Sequence, residues 1–382
     1  MSRRYDWLVV GAGFTGAVVA ERLARGLDQR VLLIDRRDHV GGNAHDRRDE
    51  GGRLIHPYGP HVFHTNSARI FNYLSRFTAW RPYEHRVRGW IDGRLVPLPF
   101  NLTSLRLLFP EATAARLSER LVQAFGRDAR PTIHDLRAAA DDPDLRRIAD
   151  YVFDRVFAPY SARQWGVPVG ALDASILARV PVVVGEDDRY FTDRYQVMPR
   201  DGYSALFERL LDHPNIHVSL NTAMAGVEPA TWDRMVYCGP LDDYFGRSAG
   251  ALPYRSVRFA HRAVDVREGL PVGTVNHPQA PDFTRVTDFR HLTDEAGPTT
   301  ALVTEYPTAH APGVTEPHYP VLCEASGRLA DDYRAMARTL AGKVWFAGRL
   351  ADFRYYNMDQ AVGRALSLVD KTLAPAVAGM AA

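Results

Sequence analysis

The chain has 382 residues, 46% of them hydrophobic and 24% charged, with 47 basic against 45 acidic side chains. That length calls for two or three domains, and the composition excludes wholesale disorder and any need for disulfide or metal staples. A net charge of +2 excludes the strong field of a nucleic-acid or anionic-membrane binder.

Tyr5 to Val10 reads as a buried parallel strand. Gly11-Ala12-Gly13-Phe14-Thr15-Gly16 follows, then a helix to about Arg25 and a second strand from Arg30 to Ile34 that ends at Asp35. This is a βαβ opening, and it explains why Ser2-Arg3-Arg4 before it is not read as a signal. A glycine- and histidine-rich loop runs from Gly41 to Thr65, and Asn66 to Phe77 has helical spacing with Asn66 or Ser67 as cap. Arg86 to Pro97 predicts a hairpin turning at Asp92-Gly93. From Leu102 to Trp165 the pattern is helical, broken at Pro110, Pro131, Pro143 and again at Pro159. Val180 to Tyr195 reads as strand and loop, Gly202 to Leu211 as helix, and Asp233 to Cys238 as a strand ending at Gly239-Pro240. Tyr254 to Val264, Thr284 to Phe289 and Ala301 to Tyr306 alternate like antiparallel strands. Asp331 to Ala341 is helical, Lys343 to Ala347 is a last buried strand, and a helix from Tyr356 to Thr372 precedes a tail that frays from Pro375. Cys238 and Cys323, with no metal spacing between them, fit a reducing, cytoplasmic setting. No apolar run approaches the ~20 residues of a spanning helix, so no membrane partner is expected.

The expected fold class is α/β: a Rossmann-like FAD-binding domain, a helical insertion and an antiparallel β-sheet domain. The discontinuous first domain takes 1–80, 196–245 and 340–382. The helical part takes 101–178 with a loop 179–190, and the sheet takes 81–100 and 250–325.

Four groups of residues carry chemistry. In Gly11-x-Gly13-x-x-Gly16 the first glycine makes the tight turn, the second admits a pyrophosphate, and the third lets helix and strand pack closely. The helix start at Phe14 and Thr15 then attracts phosphates, and Asp35 accepts from ribose hydroxyls. After Asp35 and Arg36, the pair Gly41-Gly42 with Asn43, and the late Gly348-Arg349, are habits of FAD enzymes more than of NAD enzymes; an ordinary turn is the plain alternative for the pair. His56, His61 and His64 lack acidic co-ligands and ligand spacing, so no metal is expected. They form either a wall beside a flavin, with His61 nearest, or a structural loop. The aromatic run Phe153, Phe157, Tyr160, Trp165 is either core or a platform for a base. Arg outnumbers Lys 45 to 2, so nearly every cation is a planar fork suited to diphosphate. Spacing alone does not choose among Arg179, Arg285, Arg349, Tyr306, Tyr355 and Tyr356.

Taken together, these segments resemble the bacterial UDP-galactopyranose mutases from Tyr5 to about Lys371. The matching stretches include Val40-Gly41-Gly42-Asn43, Tyr58-Gly59-x-His61-x-Phe63-His64-Thr65-Asn66, Leu98-Pro99-Phe100-Asn101 and Gln164-Trp165-Gly166. Arg179-Val180-Pro181, Tyr190-Phe191-x-Asp193-Arg194-Tyr195-Gln196, Thr284-Arg285, Glu305-Tyr306-Pro307, Gly348-Arg349-Leu350-Ala351 and Tyr355-Tyr356-Asn357-Met358 complete the set.

The resemblance implies pyranose–furanose isomerisation of a nucleotide diphosphate sugar, most readily UDP-galactopyranose, by attack of reduced-flavin N5 at the anomeric carbon. It implies FAD in its reduced form, an external reductant, a homodimer and a mobile loop over 179–190. Carried over by residue, Arg179, Arg285 and His61 are catalytic. FAD is held by Gly11, Gly13, Phe14, Thr15, Gly16, Asp35, Arg36, Gly42, Asn43, His61, Gly348, Arg349 and Met358. Substrate is held by Phe157, Tyr160, Trp165, Arg179, Tyr190, Arg285, Tyr306, Tyr355 and Asn357. Four positions depart from the family: Asn357 stands for an Asp, Asp359 for a His, Pro97 for an Asn and, mildly, Asp35 for a Glu. A different sugar nucleotide, such as dTDP-fucopyranose, is therefore an alternative substrate. An FAD oxidoreductase of the amine-oxidase type is the alternative of another class.

Overall fold

The structure, a computed structural model, describes residues 4–178 and 180–379. They form two compact units. The first holds the residues up to Pro82, Asp193–Tyr254, and those from His310 onward; the second holds Tyr83–Thr192 and Arg255–Ala309. Among the described residues no helix is long and apolar enough to cross a membrane.

The first unit is built on a five-stranded sheet, in the order Ile216–Ser219, Val31–Ile34, Tyr5–Val10, Trp232–Tyr237, Val344–Phe346, with every pair parallel. The central strands are apolar on both faces, as a parallel sheet covered on both sides requires. On one face Leu8, Leu32, Ile34, Met235, Tyr237 and Val344 make a core. The helix Phe14–Leu27 turns Ala17, Val18, Ala20 and Leu23 inward and packs against the helix Met358–Leu368. It ends at Asp28, which adopts φ 52° and returns its N–H to the Leu23 carbonyl. A small antiparallel sheet, Phe63–Thr65, Tyr195–Pro199 and Trp80–Pro82, completes this unit.

The second unit has a mainly antiparallel sheet in the order Arg255–Asp265, 299–309, Arg285–Asp288, Thr274–Asn276, Val87–Ile91, Arg94–Leu98. The hairpin turns at Asp92 and Gly93, both with positive φ. Pro97 lies on the edge strand, where a missing N–H costs no ladder bond. The helices Leu102–Leu108, Glu111–Phe125, Ile133–Ala138 and Pro143–Val152 share one core with the hairpin: Val87, Ile91, Leu105, Leu117, Leu121, Ile148 and Val152 are all buried in it.

Pro110 caps one of these helices and Pro143 opens another, as expected. Pro159 does not end its helix. The chain passes from Pro143–Val152 through a π-turn, Phe153–Phe157, into Ala158–Trp165. Ala158 N–H reaches back five residues to the Phe153 carbonyl. Widening the turn relieves the clash of the proline ring with the carbonyl four residues before it. The same device recurs at Val369–Leu373 before Pro375, so the expected frayed tail is helical as far as Ala378. The helix expected from Asp331 begins earlier, at Glu324, because Ser326 bonds to the Cys323 N–H and closes the first turn. The strand Ile216–Ser219 was not expected: its alternation is weak, and its pairing with Val31–Ile34 creates it.

The first unit buries one acid completely. Glu21 faces Arg22, Arg25 and Arg76 and accepts from the Tyr73 hydroxyl at 2.7 Å. Burial alone would raise its pKa, but bonds from Arg22 and Tyr73 and the charges of Arg22 and Arg76 hold the carboxyl below its ordinary 4.5. Glu21→Ala should lower stability by about 2–3 kcal/mol, less than a fully buried network gives because Arg25 and Arg76 reach solvent. The folded pKa is depressed, so this contribution is complete above the ordinary carboxylate pKa and lost as pH falls through the folded-state value. Urea midpoints of wild type and variant, measured down the pH scale, should converge; a constant gap would disprove the assignment.

Candidate functional site

A cavity of about 300 Å³ opens in the first unit. Its floor is the turn Val10–Gly16, and its sides come from Asp35–Arg37, Gly41–Ala44, Tyr237–Pro240, Glu316–His318, Gly348–Leu350 and Asn357–Met358. Backbone contact shapes the floor. A Cβ on Gly16 would lie 1.9 Å from the Gly11 carbonyl oxygen, so strand and helix approach each other only through glycine. A Cβ on Gly42, whose φ is +57°, would lie 3.0 Å from Gly13 Cα. The two glycine loops therefore touch with no side chain between them. No side chain caps the helix at Gly13, which leaves its first N–H groups directed at the cavity.

Asp35 stitches these loops. Its Oδ2 accepts from the Ala12 N–H at 2.8 Å and its Oδ1 from the Arg37 N–H at 2.9 Å. Gly41 N–H donates to the Ala12 carbonyl at 2.9 Å. Arg37 donates to Asn43 Oδ1 at 3.0 Å, lies 4.5 Å over the Tyr58 ring and pairs with Glu316 at 3.2 Å; Arg36 meets the same Glu316 at 2.5 Å. The Tyr58 hydroxyl is 2.7 Å from His39 Nε2, and His39 stacks on His45 with centroids 3.8 Å apart. Burial, reinforced by the neighbouring His39, lowers His45 to about 4, so it is neutral near pH 7.

The late glycine loop is held equally firmly. Gly348 N–H donates to Asp352 Oδ2 at 2.9 Å, and Arg364 forks onto the same carboxylate at 3.0 and 3.1 Å. Arg349 donates to the Tyr356 carbonyl at 2.7 Å and lies 5.3 and 5.4 Å from the rings of Tyr319 and Tyr355, which stack at 5.8 Å. Asn357 caps the helix Met358–Leu368. Thr65 ties that helix start to the small sheet through Asp359 Oδ2 at 2.9 Å.

The three histidines of the loop meet different partners. His56 Nδ1 takes the His61 N–H at 3.1 Å, His61 Nδ1 meets the Gly59 carbonyl at 2.9 Å, and His64 pairs with Asp193 at 2.9 Å. His61 lines the cavity. The cavity thus gathers Gly11, Gly13, Phe14, Thr15, Gly16, Asp35, Arg36, Gly42, Asn43, His61, Gly348, Arg349, Asn357 and Met358. It adds Arg37, Met224, Cys238, Glu316 and His318, which the sequence reading did not single out. No spacing in the sequence marks Glu316 or His318.

The second unit holds the other candidates. Phe157 and Trp165 are buried and Tyr160 is half-buried, all on the run that passes through the π-turn. Arg255 donates to the Arg163 and Gln164 carbonyls, each at 3.0 Å, and so closes the helix end at Trp165. Tyr190 N–H donates to the His85 carbonyl at 2.8 Å. Asp188 beside it meets Arg86 and Arg88, each at 3.0 Å. Val182, Val183 and Val184 are buried and bonded to the Pro131, Phe100 and Ala129 carbonyls. Arg285 donates to Glu305 Oε1 at 2.7 Å. The register pairs Glu305 with Arg285 and Tyr306 with Arg258, so strand alternation puts Arg285 and Tyr306 on opposite faces of the sheet. Arg179 lies outside the described residues.

A parallel sheet with a glycine turn, an acid closing its second strand and a cavity over the strand ends defines a dinucleotide-binding Rossmann-like protein. Residues 9–77 match the family model for an NAD(P)-binding Rossmann-like domain, and residues 155–355 match that for UDP-galactopyranose mutase. The chain is 31% identical to the UDP-galactopyranose mutase of Mycoplasma pneumoniae, over 97% of this chain and 96% of that protein. It is 30% identical to a dTDP-fucopyranose mutase of Escherichia coli, over 94% of this chain and 96% of that one. A crystal structure of reduced UDP-galactopyranose mutase shares the fold with a TM-score of 0.76 at 17% identity, covering 98% and 96% of the two chains. The chain belongs to the UDP-galactopyranose mutase family, a family of isomerases that act on nucleotide sugars.

The cavity wall makes a chemical prediction. Removal from bulk water pushes the Cys238 thiol up to about 12, whereas Cys323, bonded to Ser326 at a helix start, is held below its ordinary value. An aromatic disulfide reagent at pH 8 should label Cys323 faster than Cys238. Equal rates for the two thiols would contradict this placement.

Proposed function

We propose that this protein isomerises a nucleotide diphosphate sugar between its pyranose and furanose forms with reduced FAD as cofactor, UDP-galactopyranose being the leading substrate. The observation that carries the reading is the double-glycine floor of the first unit's cavity, in a chain that matches mutases over nearly its whole length. The residues present suit FAD. Bare backbone at Gly11–Gly16 and Gly42 admits a pyrophosphate, and uncapped helix N–H groups meet its charge. Asp35 has lone pairs beyond its two backbone bonds for a ribose hydroxyl, and Arg36, Asn43, Arg349 and Met358 stand along the walls. Reduced FAD, when bound, supplies the nucleophile for the anomeric carbon.

The chain's own residues do the rest. Arg285 and Arg179 neutralise the departing diphosphate, each with a fork that matches two oxygens. Trp165 and Tyr160 hold the base, Phe157 backs them, and Tyr190 and Tyr355 donate phenol hydroxyls to phosphate; Tyr306, on the opposite face of the sheet from Arg285, is not assigned to the same diphosphate. His61 faces the cofactor, and Asn357 presents an amide at the start of the helix Met358–Leu368. An external reductant, a cytoplasmic setting and a homodimer belong to the same reading. A second substrate, dTDP-fucopyranose, is favoured by one observation: relatives named for the two substrates stand at 31% and 30% identity.

The test is an anaerobic assay of dithionite-reduced protein with each sugar nucleotide separately, products being resolved by chromatography. Turnover should require reduction, and the released cofactor should be FAD. Arg285→Ala should lower kcat/KM by about 100-fold or more, the loss expected when two phosphate charges lose a bidentate partner. Substrate-dependent reduction of oxidised flavin, without isomerisation, would replace this reading by the oxidoreductase one.

A further inference from the structure

Glu305 is only 1% exposed, and taking a carboxylate out of water is costly unless a cation and hydrogen bonds meet it. It lies opposite Arg285 in the register of two antiparallel strands, so both side chains leave the same face of the sheet. Arg285 Nε donates to Glu305 Oε1 at 2.7 Å. The fully buried Thr284 fixes the backbone of the pair, its N–H donating to the Glu305 carbonyl at 3.0 Å. The two partners are unequal: the acid is sealed in, while the arginine side chain keeps 27% of its surface exposed.

The bond to Glu305 is made by Nε, and a guanidinium carries its four remaining N–H donors on the two terminal nitrogens. Holding Nε sets the plane of the fork and the direction of its outer edge. The negative charge of Glu305 opposes an incoming anion, so attraction is not what it contributes. We infer that Glu305 is a positioning residue: it aims the fork of Arg285 at the diphosphate of the nucleotide sugar. This inference rests on the proposed function for its ligand, and on the geometry of the second unit for its device.

The distinction between direction and charge gives the experiment. Glu305→Gln keeps an acceptor for Nε and removes the charge; Glu305→Ala removes both. UDP affinity by calorimetry and steady-state kinetics are measured for both, alone and with Arg285→Ala. Arg285 in the ligand-free proteins is also labelled with phenylglyoxal and read by peptide mass spectrometry. The alanine variant should bind UDP about tenfold more weakly and lose kcat, while the glutamine variant stays within about threefold of wild type with KM unchanged or lower. Combined with Arg285→Ala, neither change should add a further loss. Labelling of Arg285 should accelerate in the alanine variant alone. Equal losses in both variants, or losses additive with Arg285→Ala, overturn the inference. Wild type that ignores UDP while the labelling behaves as stated overturns the nucleotide-sugar reading and leaves the device standing. If Glu305→Ala does not fold, Glu305→Asp, whose shorter arm withdraws the acceptor, takes its place in every arm.

Discussion

The contact on which the first unit depends is backbone against backbone, where Gly16 meets the Gly11 carbonyl. Any side chain there would push the helix Phe14–Leu27 off the sheet, since a Cβ would lie 1.9 Å from that oxygen. Helix and strand are thereby close enough for the helix start to open directly onto the cavity floor. Gly42 repeats the device from the other side, against Gly13. Two loops distant in sequence become one surface of bare amides, and such a surface binds phosphate by direction and dipole rather than by a charged side chain.

Around that floor the charged groups act mostly on one another. Asp35 spends two bonds on holding the loops, Glu316 gathers Arg36 and Arg37, and Asp352 gathers Arg364, Tyr356 and the Gly348 N–H. Arg37 in turn rests on Tyr58, which reaches the stacked pair His39 and His45. A network of this kind limits the motion of each loop, so a cofactor would meet walls already in place and lose little affinity to ordering them.

The second unit solves a different problem, that of carrying one helical run through a proline and onto a sheet. The π-turn at Phe153–Phe157 lets one helical run continue through Pro159, so Phe157, Tyr160 and Trp165 stay on a single rigid element. Arg255 satisfies the carbonyls at its end. Arg285 and Glu305 then place a guanidinium on the neighbouring sheet, whose strand 299–309 packs against that helix.

Much of this was legible in the sequence. The opening strand, glycine turn, helix and Asp35 declare themselves locally, because tight turns and close approaches demand glycine at set spacings. The hairpin at Asp92-Gly93 and the helix starts at Ser67, Pro110 and Pro143 are equally local. Local pattern misjudged the prolines, since whether a helix stops or widens at Pro159 and Pro375 depends on what packs around the turn. The strand Ile216–Ser219 exists because a neighbour lends it hydrogen bonds. Glu316, His318 and Tyr319 carry no spacing that marks them, and only the return of that segment to the first unit brings Glu316 onto Arg36 and Tyr319 onto Tyr355. Tertiary structure alone separated Arg285 from Tyr306 across a sheet and set Glu305 behind the arginine. Sequence determines what each residue can do over a few positions; partners that meet across hundreds of residues are chosen by packing and strand register, which no local pattern contains.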